Sequence, residues 1–221
     1  MTERRHSNGL EKEFELERVM LFSDAVFAIA ITLLVIDIKW PELPERLAGV
    51  KWDRALGPTI FSFAGLVLSF LSIGHFWSQH LRLFKLLIKY DQGLIARNLL
   101  FLFFIVTFPF TASGLLGHIR EGFLLPLYVY LGNVVLVSAA HLNLCWYMLR
   151  RKNFLTVEGK KEEKKYIFVQ SRNATFAMLA TVVVVGIANL VFPEKWYIAC
   201  YSCALSGLFL SIGNKKAAKH L

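Results

Sequence analysis

The apolar positions of this chain gather into blocks of about twenty residues with almost no charge inside them. They run over residues 19–38, 55–77, 94–116, 123–149, 174–192 and 196–212, with short polar stretches between. A bilayer core of ~30 Å takes about 20 helical residues to cross. Lipid offers the backbone no hydrogen-bond partners, so each block is expected to be a helix. Only Pro193, Glu194 and Lys195 separate the last two blocks, which reads as a tight turn between antiparallel helices. The expected fold is therefore all-α: a polytopic membrane protein with six transmembrane helices per subunit. One membrane domain, 18–213, lies between an N-terminal tail, 1–17, and a C-terminal tail, 214–221. No internal repeat or low-complexity tract interrupts it.

Composition agrees with that reading. Apolar residues make up 56% of the chain and charged residues 19%, below the roughly 25% of an average soluble domain. A net charge of +9 would suit a nucleic-acid binder, but its placement does not. With the N-terminus inside and connections alternating, inside segments hold 19 of the 25 Lys and Arg residues and outside segments hold 6. This is the positive-inside pattern, and it predicts both termini cytoplasmic, an even number of spans, insertion in the cell membrane and no nucleic-acid partner. The first eighteen residues carry Arg4, Arg5, Lys12 and Arg18 among five glutamates, with no apolar core before Val19. The first block is thus expected to be a retained span, not a cleaved leader.

The link between residues 150 and 165 is charged enough to be a solvated connector or a helix extension. Its clusters, Arg150-Arg151-Lys152 and Lys160-Lys161…Lys164-Lys165, read as solvated flanking charge, with contact to anionic lipid headgroups as the alternative. Pro41 and Pro44 mark an ordered turn after the first block. Trp52, Trp77, Trp146 and Trp196 fall near expected span ends, where indole rings favour the interface. Cys145, Cys200 and Cys203 lie in expected spans without further ligands, and read as small core residues.

The first block differs from the others in its polar residues. Asp24 stands one turn inside it: it either marks a pathway or polar network, or sits at the water interface where it costs little. At ~100° per residue, Arg18 and Asp24 point ~240° apart and should seek partners on other helices. Ile29, Leu33 and Ile36 follow i, i+4, i+7 spacing and share a face, with Thr32 beside them. Ser23 and Asp24 lie more than ~120° from Ile29 on the same wheel. One helix thus carries a bulky aliphatic stripe and, separately, a polar edge.

Elsewhere, His141, Asn133, Asn143 and Asn189 are expected to bond between helices. Arg172-Asn173 reads as the interfacial start of the fifth block. His75 and His80, five apart, do not share a face and make a poor zinc pair. The sequence has no H-E-x-x-H, Walker loop, G-x-S-x-G or E-x-x-H pattern, so no enzyme and no cofactor is expected.

Arg18-x-x-x-Phe22-Ser23-Asp24 resembles the R-x-x-x-F-S-D signature of the transmembrane protein 175 family. That family comprises potassium-permeable channels of animal endosomes and lysosomes, with single-repeat relatives in prokaryotes. The continuation from Ala25 to Leu34 resembles the family's first helix, and Trp77-Ser78-Gln79-His80 is similar to its W-x-x-H. The resemblance implies a prokaryotic single-repeat member: a homotetramer of six-helix subunits around a pore lined by the first helices. It implies a hydrophobic constriction at Ile29, with Leu33 and Ile36 further along, and a polar ring at Thr32 linked to cation preference. Potassium, and other monovalent cations with it, would pass near Ile29 and Thr32. Arg18, Phe22, Ser23, Asp24, Trp77 and His80 would form the hydrogen-bonded network that holds the pore helix.

The chain has no T-V-G-Y-G filter, so any selectivity must come from side chains, and an aliphatic ring can gate by dewetting. Hydroxyls replace a hydration shell incompletely, which predicts modest potassium preference over sodium. Arg18 and Asp24 are expected to bond groups on the second helix, Trp77 and His80 among them. His80 reads either as a structural histidine or as a group that titrates near neutrality. Three classes remain: a passive channel, a secondary or proton-coupled transporter, and a membrane scaffold. Transporters favour broken spans and inverted repeats; Pro109 and Pro126 hint at breaks, but no matched pair of interruptions accompanies them. A scaffold leaves the Arg/Ser/Asp edge unexplained.

Overall fold

A computed structural model describes residues 2–36, 52–118, 124–151 and 153–191. Its α-helices are α1 (Thr2–Leu33), α2 (Trp52–Phe84), α3 (Gln92–Val106), α4 (Phe108–His118), α5 (Leu125–Trp146) and α6 (Lys161–Val191). A π-helical turn, Tyr147–Arg151, and a 3-10 turn, Asn153–Leu155, lead from α5 towards α6. Among the described residues the fold is all-α, with one isolated bridge between Leu87 and Thr156. The sixth expected block, the Pro41/Pro44 turn, the 193–195 turn, Cys200, Cys203, Trp196 and the C-terminal tail lie outside the described residues.

Among the described residues, three helical stretches are long and apolar enough to cross a bilayer: Gln92–Leu115, Leu125–Arg151 and Lys161–Val191. They correspond to the third, fourth and fifth expected blocks, and they make this a multi-pass membrane protein. The second block falls inside a longer helix, and the first overlaps one that starts earlier and ends at Leu33. α1 continues back to Thr2 through the stretch read as a tail, and α2 runs on to Phe84, past the expected end at Trp77. Trp77 is therefore interior to its helix. α6 likewise begins at Lys161, so the helix-extension reading holds for the end of the charged link, and Arg172 is well inside a helix.

The third block is divided. Pro109 has no N–H to offer the Ile105 carbonyl, and its ring crowds the preceding turn, so the helix breaks at Thr107 between α3 and α4. Polar side chains close the gap: Thr107 Oγ1 donates to Asn133 Oδ1 at 2.9 Å, and Asn133 Nδ2 donates to Thr111 Oγ1 at 3.3 Å. Pro126 acts differently. It stands in the first turn of α5, where a missing N–H costs nothing.

Aromatic and aliphatic residues from α1 to α5 form the main core, including Phe27, Ile73, Phe76, Phe101, Ile105, Phe108 and Val137. A second core at the Lys/Arg-rich end joins Leu83, Phe84, Leu94, Leu144, Met148, Leu155 and Ile167. There Asp91 caps α3 by accepting from the Leu94 N–H at 2.8 Å, and its other oxygen accepts from Tyr147 at 2.7 Å. A Cβ at Gly93 would collide with the Tyr147 hydroxyl, which explains glycine in the first turn of α3. The Arg97 guanidinium lies 4.0 Å over the Tyr147 ring. Backbone bonds from Ile88 N–H to Leu155 O and from Val157 N–H to Leu86 O, both 2.8 Å, tie the α2–α3 loop to the α5–α6 link.

Candidate functional site: the two faces of the first helix

The inward edge of α1 is set by Ser23, Phe27 and Ala30, all buried and spaced i, i+4, i+7, and the buried Leu34 continues it just past the helix end. Ser23 donates from Oγ to the Val19 carbonyl at 2.9 Å and accepts from Asn98 Nδ2 of α3 at 2.9 Å. Asn98 Oδ1 lies 2.9 Å from His80 Nε2 on α2. A carbonyl oxygen only accepts, so His80 donates from Nε2 and keeps its lone pair on Nδ1. The imidazole is stacked against Phe84 at 4.0 Å and Phe101 at 5.6 Å between ring centroids. Three helices thus share one buried chain, Val19–Ser23–Asn98–His80. Its walls are aromatic.

Beside it, Trp77 Nε1 donates to Asp24 Oδ1 at 2.9 Å. This meets the expectation that Asp24 bonds to the second helix. The remaining expectations divide. His80 reaches α1 only through Asn98, not by bonding Asp24. Arg18 is exposed and, among the described residues, makes no hydrogen bond or ion pair; its charge lies near the Tyr90–Glu15 pair. Phe22 has no polar atom and turns to the open side, 53% exposed. The hydroxyl of Tyr90, in the α2–α3 loop, donates to Glu15 of α1 at 2.5 Å, and that carboxylate raises the Tyr90 pKa.

Sequence reasoning missed Asn98. Its signal was available: an amide in the third apolar block, where an unpaired polar group is costly. Of the other polar residues expected to bond between helices, Asn133 does so as above and His141 Nδ1 meets Ser171 Oγ at 3.0 Å. Asn143 and Asn189 make no such bond among the described residues.

The opposite face of α1 is open. Ile29 is 58% exposed, Leu33 38% and Ile36 71%. Ile29 and Leu33 share a helical face, but α1 ends at Leu33, and Ile36 stands in a turn whose N–H meets the Leu33 carbonyl at 3.2 Å. Thr32 is exposed between them and donates its hydroxyl hydrogen to the Ile29 carbonyl at 2.9 Å. That bond uses the only side-chain donor and leaves the oxygen lone pairs outward, the polarity that suits a cation.

Residues 18–109 match the family described as "Endosomal/lysosomal potassium channel TMEM175". Every member of the Ser23–Asn98–His80 and Asp24–Trp77 contacts lies in that stretch. A potassium channel of Streptomyces collinus is 42% identical over 107 residues, 48% of this chain and 50% of that protein. The chain thus spans about half the length of this relative. A potassium channel of Chryseobacterium is 26% identical over 207 residues, 92% of this chain and 96% of the other. Among solved structures, the lysosomal potassium-selective channel TMEM175 homolog from Chamaesiphon minutus shares the fold, with a TM-score of 0.74 and 24% identity over 90% of this chain and 98% of that one. The stretch from residue 18 to 109, which contains the whole bonded edge of α1, is thus similar to the TMEM175 family, and the fold is that of the Chamaesiphon minutus homolog.

Proposed function

We propose that this protein is a potassium-permeable cation channel of the cell membrane, in which four copies surround a pore lined by α1. The observation that carries the reading is the asymmetry of that helix. Its polar edge is bonded to α2 and α3 within the subunit, while Ile29, Thr32 and Leu33 face outward, exposed among the described residues. In a ring of subunits, such a face is available to line a shared conduit. Ile29 forms the constriction there, since an aliphatic ring resists wetting, and the outward oxygen of Thr32 offers partial replacement for lost hydration. Both Lys/Arg-rich termini lie on the cytoplasmic side, and a sixth helix completes the subunit. The names of the relatives, potassium channels over half and over most of the chain, support the same substrate.

The test is reconstitution of the purified full chain in planar bilayers under opposed potassium and sodium gradients. The expected result is a passive current whose reversal potential lies on the potassium side with measurable sodium permeation. Among the described residues, the helix break at Thr107 is the feature that favours a coupled transporter. Flux that requires a second ion and gives no passive current would establish that reading instead.

A further inference from the structure

Between α2, α5 and α6 lies a chamber of about 20 Å³, bordered by His75 and Gln79 of α2, Ser138 and His141 of α5, and Gln170 and Ser171 of α6. Two of these residues bring unsatisfied atoms to it. Ser138 Oγ and Gln170 Oε1 are buried and have no hydrogen-bond partner among the described residues. Ser138 is 3% exposed and Gln170 9%. The neighbours are engaged elsewhere: His141 with Ser171 Oγ at 3.0 Å, and the Thr175 hydroxyl with the Ser138 carbonyl at 3.1 Å. Left dry, both atoms would be desolvated and unpaired, the costliest condition for a neutral polar group.

The space and its chemistry suit one water molecule, which needs about 10–15 Å³ of such volume and two to four polar partners. We propose that the chamber binds a structural water that accepts from the Ser138 hydroxyl and donates to the Gln170 side-chain carbonyl. Its remaining hydrogen and lone pair face the α2 wall, where Gln79 and His75 stand. The water thereby bridges a seam that direct packing leaves thin, because α2 packs chiefly on α1 and α4. Trp77 lies between His75 and Gln79 in sequence and projects from the other side of the same turn, at about 200° from each. The water bridge and the Trp77–Asp24 bond therefore hold one turn of α2 from opposite sides. Neither the polar edge nor the open face of α1 includes this site.

Two measurements on the full chain test the proposal. In a high-resolution structure in lipid nanodiscs, density is expected within about 2.7–3.2 Å of both Ser138 Oγ and Gln170 Oε1. An empty chamber, or Ser138 and Gln170 turned to other partners, overturns the site without recourse to any variant. Thermal unfolding of Ser138→Ala, Gln170→Leu and the double variant reads the same question by sign. With water bound, each single change lowers Tm by about 2–4 °C, and the double change costs no more than the larger single one. In a dry chamber these changes remove unpaired buried atoms and raise Tm; additive losses would mean two separate contacts and no shared water.

Discussion

The two sides of α1 are built from similar residue types and reach opposite ends. Phe27 and Ile29 are both large apolar side chains two positions apart, yet Phe27 is 1% exposed while Ile29 stands open. Ser23 and Thr32 both return a hydroxyl hydrogen to their own helix, but Ser23 also accepts from Asn98 while Thr32 faces outward. Composition therefore does not separate a supporting side from a working side. What separates them is whether a neighbour in the same subunit supplies a partner. α2 and α3 occupy one side of the helix, and among the described residues the other side stays open.

That contrast can be broken from either side. The largest loss is expected from Phe27→Ala, which empties a site packed against His80 and Phe101. It should cost about 3–5 kcal/mol, read as loss of monodisperse protein in detergent and a lower unfolding midpoint. Asn98→Leu comes next. It leaves His80 Nε2 without an acceptor and removes the tie to Ser23, a cost of about 1–3 kcal/mol, measured by thermal unfolding. Trp77→Phe removes one bond to Asp24 and should cost about 1 kcal/mol. Asp24→Asn keeps an acceptor oxygen and should cost less, so equal losses would mean that charge, not the hydrogen bond, holds the helix.

On the open side, Ile29→Ser should leave the unfolding midpoint unchanged while raising leak current in bilayers. A fall in stability with no change in current would move Ile29 from the conduit to the structural side of the comparison. Thr32→Val, the smallest change, retains shape and removes the outward oxygen. It should shift the potassium-to-sodium reversal potential towards equal permeability with little effect on expression.

Periodicity made the separation of Ser23 and Asp24 from Ile29 legible before any coordinates, because angular position on a helix depends only on residue spacing. The Trp77–Asp24 pair was legible in two parts: spacing on the helix says that Asp24 needs a donor from another helix, and only the resemblance pointed to Trp77. Asn98 was not legible as the link between Ser23 and His80. An amide in an apolar block announces a need for partners but not which helix supplies them. Phe22 and Arg18 were grouped with the network by the R-x-x-x-F-S-D resemblance, and side-chain direction places Phe22 on the open face. The division at Thr107 was half-visible in Pro109; its closure by Asn133 depended on α5 lying alongside.

Sequence by itself determined that the chain is helical and crosses the membrane more than once, since runs of apolar residues at bilayer length leave the backbone no other way to satisfy its hydrogen bonds. It also determined the two-sidedness of α1. Only the tertiary structure decided which side is covered, that His80 is reached through Asn98, and that Ser138 and Gln170 share one small chamber. Those outcomes depend on which helices lie side by side, and hydrophobic pattern specifies how deep a residue sits far more strongly than which neighbour it meets.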